Sequence, residues 1–184
     1  MQIGIIGLGK MGFNLALNLK RNHYEVVAQD VNPDFVKKMS EEGITTANTA
    51  AELCQKLNGR KVIWLMVPAG EIVDGVITSL IPFLEKNDII IDGGNSNYKD
   101  SKRRYTQLKE KGIDFLDCGT SGGTSGALNG ACTMIGGDAE VFEYVAQVFK
   151  DISVENGHLY TGAAGSGHFT KMVHNGIEYG MMQS

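Results

Sequence analysis

The sequence has few cysteines, few prolines and no long apolar run, and these shortages exclude several classes of protein. Its 184 residues include three prolines and three cysteines (Cys54, Cys118 and Cys132), none in C-x-x-C spacing, which argues against a zinc site or a disulfide framework. Apolar runs such as residues 62–67 are too short to cross a bilayer. The first residues lack the basic and then apolar pattern of a secretory signal. We therefore predict a cytoplasmic protein without a bound metal or a membrane partner.

The charge pattern contains no basic face that would attract a nucleic acid. The net charge is −4, and aromatic residues do not alternate with lysines and arginines. The one basic run, Lys102-Arg103-Arg104, lies in a helical pattern among other charges, so we predict a solvated face. Small or apolar neighbours predict that Cys118 and Cys132 are buried. A hydrophobic content of 42% is ordinary for a globular protein.

The first thirty residues predict a dinucleotide site. Gly7, Gly9 and Gly12 form G-x-G-x-x-G directly after the apolar run 3–6 and before a helical pattern. In such a motif the first glycine makes a tight turn, the second admits the pyrophosphate, and the third lets the helix pack on the strand. Asp30 ends the next apolar run, at the spacing of a ribose-binding carboxylate. A glycine turn without a ligand is the alternative. The predicted cofactor-binding residues of the turn are Gly7, Leu8, Gly9, Lys10, Met11 and Gly12.

Strand-like and helix-like segments alternate along the chain. This alternation predicts an α/β fold with a doubly wound, mostly parallel sheet, a Rossmann-like domain whose ligands bind at the carboxyl ends of the strands. Loops are expected there at residues 67–70, 93–96 and 119–130. Strands are predicted at residues 2–6, 25–29, 61–67, 88–92, 114–118, 131–135 and 158–160. Helices are predicted at residues 11–21, 33–42, 49–57, 71–80, 98–111 and 138–149.

A further helix is predicted from about Gly165 to the last residue. Lys171, His174, Asn175 and Glu178 have the spacing i, i+3, i+4 and i+7, which places them on one helix face. Such a polar stripe within an apolar helix would suit a polyol-binding floor, and a solvated stripe is the alternative. The helix has no stop signal, which predicts a chain that continues. We therefore expect a dinucleotide-binding domain at residues 1–164 and the first helix of an all-helical domain at residues 165–184.

The segment Gly119-Thr120-Ser121-Gly122-Gly123 matches G-x-S-x-G, the nucleophile elbow of α/β-hydrolases. An elbow serine needs a helix directly behind it, and the glycines that follow predict that no such helix forms. A glycine-rich loop that binds a carboxylate or hydroxyl group fits the sequence better. No G-x-x-x-x-G-K-[ST] motif is present, so nucleotide hydrolysis on a phosphate loop is excluded.

The strings GLGKMG, DGGNSNY, TSGG and GSGHFTKMVHNGIEYGMMQ together resemble the N-terminal part of the 6-phosphogluconate dehydrogenases. The resemblance implies that Lys171 is the general base at the C3 hydroxyl. It implies that Glu178 is the acid that protonates C1 of the enediol formed after CO2 is lost, giving ribulose 5-phosphate. The implied contacts to 6-phosphogluconate come from Asn95, Ser121, Gly122, Gly123, His174, Asn175 and Tyr179. Further cofactor contacts are implied for Val67, Pro68, Ala69 and Asn95.

The chain departs from the family pattern at two places, and the first of them bears on the cofactor. NADP-dependent members carry residues like Asn-Arg-Thr after the second strand, where this chain has Gln29-Asp30-Val31. A carboxylate there would repel the 2′-phosphate, so the resemblance is to the NAD-dependent branch and the expected cofactor is NAD. Thr124-Ser125 stands where acidic residues are usual. The resemblance also implies a homo-oligomeric full-length parent that serves the pentose phosphate pathway or gluconate use.

Two alternative functions remain open. One is a β-hydroxyacid dehydrogenase acting on a small substrate such as 3-hydroxyisobutyrate, since such enzymes share the glycine turn and the lysine. The other is a dinucleotide-binding module without turnover. We expect the 184-residue chain itself to bind NAD and not to turn over 6-phosphogluconate. The matched positions provide no obvious arginine for the substrate phosphate.

Overall fold

The computed structural model describes residues 1–183, which form one eight-stranded sheet with helices on both faces. The strands are β1 Gln2–Ile6, β2 Glu25–Gln29, β3 Thr45–Ala47, β4 Val62–Leu65, β5 Ile89–Asp92, β6 Asp114–Ser121, β7 Ala131–Gly137 and β8 Ser153–Gly162. The helices are α1 Lys10–Arg21, α2 Pro33–Glu41, α3 Ala50–Lys56, α4 Glu71–Leu80, α5 Tyr98–Lys109, α6 Gly123–Asn129, α7 Ala139–Ile152 and α8 Ser166–Gln183. A short 3-10 helix, Ile81–Phe83, follows α4.

The strand order is β3-β2-β1-β4-β5-β6-β7-β8, and β6 with β7 is an antiparallel pair in an otherwise parallel sheet. This confirms the predicted doubly wound fold. Each face of the sheet carries its own apolar cluster, one including Trp64 and Phe149 and the other Leu53 and Phe115. Because the chain after β1 first adds β2 and β3 on one side and then returns to add β4 on the other, a crevice opens at the carboxyl end of β1.

The predicted bounds of β2 and α4 are confirmed, while β3 was missed. The prediction that no helix follows Ser121 was wrong, because α6 begins two residues later. Gly122 and Gly123 have φ of 121° and 59°, which lets the chain reverse before the helix. The helix then lies against α1, where the Asn18 amide donates to the Ala127 carbonyl over 3.1 Å. Contacts with α1 therefore stabilise a glycine-rich helix that its own sequence disfavours.

The two cysteines predicted to be buried have different environments. Cys118 is fully buried, and burial raises the pKa of its thiol to about 12. Cys132 is exposed, so that prediction was wrong. It pairs with Ser121 across the antiparallel strands at the end of β6. Among residues 1–183, no helix is long and apolar enough to cross a membrane.

Candidate functional site

A cleft of about 960 Å³ extends along the carboxyl ends of the central strands. Its volume suits a large organic ligand. The cleft collects residues from the glycine turn, from the loops after β2, β4, β5 and β6, and from α8. The predicted site residues that line it are Gly7, Gly9, Lys10, Met11, Asp30, Val67, Pro68, Asn95, Gly122, Gly123, Lys171 and Asn175. Leu8 and Gly12 are buried behind it.

The three glycines of the turn meet three different steric demands. Gly7 has φ of 97°, a conformation that favours glycine. A side chain on Gly12 would place its Cβ 1.9 Å from the Gly7 carbonyl oxygen, so α1 can approach β1 only without one. A Cβ on Gly9 would meet no protein atom within 4 Å. Gly9 caps α1, whose first turn has no side-chain cap. The N-terminal N–H groups therefore remain available to an anion.

Asp30 connects the end of β2 to the glycine turn. Its Oδ2 accepts a hydrogen bond from the Leu8 N–H over 2.5 Å, and its Oδ1 accepts one from the Asn32 N–H over 2.8 Å. These bonds fix the carboxylate at the rim of the cleft. Each carboxylate oxygen keeps a further lone pair for a ligand hydroxyl.

The opposite wall of the cleft is held by Arg104, so the predicted solvated role of the basic run was wrong for this residue. Arg104 is 1% exposed. It donates to the Asp92 carboxylate over 3.1 Å, to the Gly70 carbonyl over 2.9 Å and to the Asp74 carboxylate over 2.7 Å. The guanidinium therefore balances the buried charge of Asp92 and braces the loops after β4 and β5. Lys102 and Arg103, by contrast, are exposed.

The N-terminus of α8 is anchored on the sheet by Asp117. This buried carboxylate on β6 accepts hydrogen bonds from the Gly165 N–H over 2.5 Å and from the His168 N–H over 2.8 Å. It thereby satisfies two of the donors that a helix start leaves unpaired. Farther along, a Cβ on Gly119 would lie 2.5 Å from the Lys171 Cβ. The absence of a side chain at that strand position lets the lysine approach the cleft floor.

Lys171 is half-buried at the edge of the cleft. Burial lowers the pKa of its ammonium group below the ordinary lysine value, an effect that the Glu178 carboxylate and Cys132 oppose. A lowered pKa increases the neutral fraction of the amine near neutral pH, and the neutral amine is the form that can accept a proton.

The polar stripe of α8 divides into two halves. Lys171 and Asn175 line the cleft. The His174 and Glu178 side chains are 45% and 53% exposed, with His174 Nδ1 and Glu178 Oε2 3.6 Å apart.

Tyr179 is also exposed, as are Ala69 and the apolar residues Met172, Val173 and Ile177. Ser121 is half-buried at the end of β6. The common face was predicted from the spacing, but its partial covering was not.

Three residues that hold the site together, Arg104, Asp117 and His168, were not predicted from the sequence. Each lies outside the cleft lining and acts on a residue or loop that forms it. The one local signal was the position of His168, three residues before Lys171 and therefore on the same side of α8. Neither Arg104 nor Asp117 has a comparable signal, because their partners come from other elements.

The glycine turn and the carboxylate after β2, in a doubly wound sheet, are typical of a domain that binds a nicotinamide dinucleotide. Residues 2–162 match the family model for the NAD-binding domain of 6-phosphogluconate dehydrogenase. The chain belongs to that family.

The similar proteins align with almost the whole of this chain. The chain, in turn, spans only part of their length. YqeC of Bacillus subtilis is 52% identical over 182 residues, which are 99% of this chain and 61% of YqeC. The NAD(+)-dependent, decarboxylating 6-phosphogluconate dehydrogenase of the same organism is 46% identical over 98% of this chain and 40% of its own length. The Plasmodium falciparum 6-phosphogluconate dehydrogenase superposes with a TM-score of 0.94 and 35% identity, over 100% of this chain and 41% of that chain.

Proposed function

We propose that this chain supplies the cofactor site and the catalytic helix of an NAD-dependent, decarboxylating 6-phosphogluconate dehydrogenase. The observation that carries the proposal is the position of Lys171. Lys171 is half-buried and lines the same cleft as the glycine turn and Asn95. We infer that its amine acts as a base beside the nicotinamide of a bound dinucleotide. The same cleft without such a base would support binding alone.

Within this proposal, Lys171 Nζ takes the proton of the substrate C3 hydroxyl while the hydrogen on C3 leaves as hydride. NAD, when bound, supplies the hydride acceptor. The resulting 3-keto acid releases its C1 carboxylate as CO2, and the bonding electrons form the C2–C3 double bond of an enediolate with its negative charge on the C3 oxygen. Glu178 then protonates the carbon that was bound to the carboxylate, which gives ribulose 5-phosphate. One lysine and one carboxylic acid, about two helical turns apart, suffice for both proton transfers.

The remaining polar residues around Lys171 are proposed to bind 6-phosphogluconate. Asn175 and the backbone of Gly122 and Gly123 line the cleft on either side of the lysine. Within residues 1–183, the cations lining the cleft are Lys10, in the glycine turn, and Lys171. The substrate phosphate is therefore proposed to need groups beyond those that line the cleft. The other proposed substrate contacts are Asn95, Ser121, His174 and Tyr179.

We assign α8 to a second, all-helical domain, beginning at residue 165, in a homo-oligomeric cytoplasmic enzyme. Exposed Met172, Val173 and Ile177 support this division, because apolar side chains on one helix usually pack against another element. The greater length of the relatives is consistent with it.

Cofactor preference tests the role of Asp30. We expect the 184-residue chain to bind NAD at least about tenfold more tightly than NADP, or about 1.4 kcal/mol, because the 2′-phosphate would face a carboxylate. Calorimetric titration with both nucleotides measures the ratio. Asp30→Asn removes the charge but keeps an oxygen for the Leu8 N–H, and it should narrow the preference. Asp34→Asn, at an exposed carboxylate on α2, serves as the control. Equal affinities in the wild-type chain would refute this role.

Turnover assays test the reaction and its substrate. We compare the 184-residue chain with a chimera in which the C-terminal part of the NAD-dependent Bacillus subtilis relative follows residue 184. The chimera should form NADH with 6-phosphogluconate but not with 3-hydroxyisobutyrate. The chain alone should bind NAD and be at least about a hundredfold slower, because exposed Glu178 lacks the rigid placement that proton transfer needs. A preference for 3-hydroxyisobutyrate would favour the β-hydroxyacid alternative. Tight NAD binding without any turnover in the chimera would favour the non-catalytic module.

A further inference from the structure

His168 connects three elements around the cleft without lining it. Its ring is 2% exposed on the first turn of α8. Nδ1 lies 2.7 Å from the Ser101 hydroxyl oxygen on α5, and Nε2 lies 3.0 Å from the Gly94 carbonyl oxygen in the loop after β5. Its backbone N–H donates to Asp117 on β6. A buried imidazole with all its polar atoms paired has one well-defined orientation.

The contacts of the ring also determine which nitrogen carries the proton. A carbonyl oxygen can only accept, so Nε2 is the donor to Gly94. In a ring that carries one proton, Nδ1 then accepts from the Ser101 hydroxyl, 2.7 Å away. The ring therefore acts as a directional link from α5 through α8 to the backbone of the loop.

The loop after β5, which contains Gly94 and Asn95, forms part of the cleft lining. Gly94 is held at its N–H by the Asp92 carboxylate over 3.2 Å and at its carbonyl by His168. Asn95, the next residue, is exposed and lines the cleft. The sheet order is β2-β1-β4-β5, with Asp30 after β2 and the pyrophosphate turn after β1. A dinucleotide with its adenosine at Asp30 therefore extends its nicotinamide end toward the loop after β5.

We propose that His168 is a positioning residue for the nicotinamide end of the cofactor, acting through the bond from Nε2–H to the Gly94 carbonyl. The bond holds the Gly94–Asn95 backbone against α8. Because His168 precedes Lys171 by three residues on that helix, it also fixes the wall of the cleft relative to the base. The inference rests on the NAD binding proposed above and deepens it, since it concerns only one end of the dinucleotide.

Two amide substitutions separate the two ring nitrogens. The Gln amide nitrogen can occupy the Nε2 position, so His168→Gln keeps the donor to Gly94. The Asn amide reaches only the Nδ1 position, so His168→Asn keeps the Ser101 contact and loses the bond to Gly94. Ser101→Ala removes the other partner alone. All three variants are made in the 184-residue chain.

Binding of NAD is compared with that of ADP-ribose, which has the adenosine and pyrophosphate but no nicotinamide. His168→Asn should weaken NAD binding by roughly three- to tenfold, which corresponds to the loss of one hydrogen bond. The affinity for ADP-ribose should stay within about twofold of the wild-type value. His168→Gln and Ser101→Ala should keep the wild-type ratio of the two affinities. A general loss of structure would weaken the binding of both ligands together. An unchanged ratio of the NAD and ADP-ribose affinities in His168→Asn would overturn the proposal.

Ligand-free NMR keeps this result distinct from the proposed function. The wild-type imidazole should carry its proton on Nε2, and the Asn95 amide should exchange faster in His168→Asn than in His168→Gln. If the wild-type chain binds neither nucleotide, the proposed function fails and amide exchange alone decides whether His168 holds the loop. If His168→Asn does not fold, the wild-type tautomer decides, because a ring protonated only on Nδ1 cannot donate to Gly94.

Discussion

Replacing Lys171 by methionine in the chimera is expected to slow oxidation of 6-phosphogluconate by about a hundred- to ten-thousandfold, the range for loss of a general base. Methionine keeps the apolar stem that packs against Gly119 but cannot accept a proton. NAD affinity should remain nearly unchanged, because the glycine turn and Asp30 are untouched. Steady-state kinetics and a parallel NAD titration measure the two quantities.

Controls for this prediction use other positions on the chain. Lys111→Met changes an exposed lysine two residues after α5 and should leave the rate intact. Glu178→Gln should slow product formation while sparing NAD binding. The pH profile adds a second readout: the rate should rise with pH as Lys171 loses its proton, with a midpoint below the ordinary lysine pKa of about 10.4. A Lys171→Met enzyme with wild-type turnover would remove Lys171 from the mechanism.

Gly12→Ala is expected to destabilise the fold by about 1–3 kcal/mol, or more if the backbone cannot shift. The new Cβ would lie 1.9 Å from the Gly7 carbonyl oxygen and 3.0 Å from the Met66 Cβ. Helix α1 would have to move away from β1, taking its N–H groups from the pyrophosphate position. Both the free energy of unfolding in denaturant and the NAD affinity should fall.

Gly9→Ala provides the matched control, because its Cβ would meet no protein atom within 4 Å. It should leave the free energy of unfolding nearly unchanged. The affinity for NAD should still fall, since the added methyl group would occupy space that the ligand needs. The two alanine variants therefore separate the stability of the turn from the shape of the binding site. An alanine at position 12 that leaves stability unchanged would contradict the packing role assigned to Gly12.

The first β-α-β unit could be predicted from the sequence because its determinants are local. Gly7, Gly9, Gly12 and Asp30 lie within thirty residues, and the turn geometry leaves few alternatives for each glycine. Apolar runs of the buried parallel strands identified β1, β2, β4 and β5 in the same way. The short edge strand β3 has no such run, which explains why it was missed.

Helix α6 and the buried Arg104 could not be predicted, because their stabilising partners are distant in sequence. The Asn14 amide that donates to the Thr124 carbonyl is 110 residues away from it. Local propensity disfavours a helix with this many glycines, and only the packing against α1 reverses that preference. For Arg104, a basic run typical of a solvated face becomes a buried brace once Asp92 and Asp74 lie beside it.

The sequence by itself determined the order of strands and helices apart from β3 and α6, the glycine turn, and the common face of Lys171, His174, Asn175 and Glu178. Helical spacing fixes which residues share a face, because it depends only on the rise and turn of one helix. The tertiary structure alone decided that Lys171 and Asn175 reach the cleft while His174 and Glu178 remain exposed. That division depends on which part of α8 packs on the sheet, where it contacts β6, β7 and β8. Asp117 and His168 attach the start of the helix to other elements, so the covering of the face depends on long-range contacts.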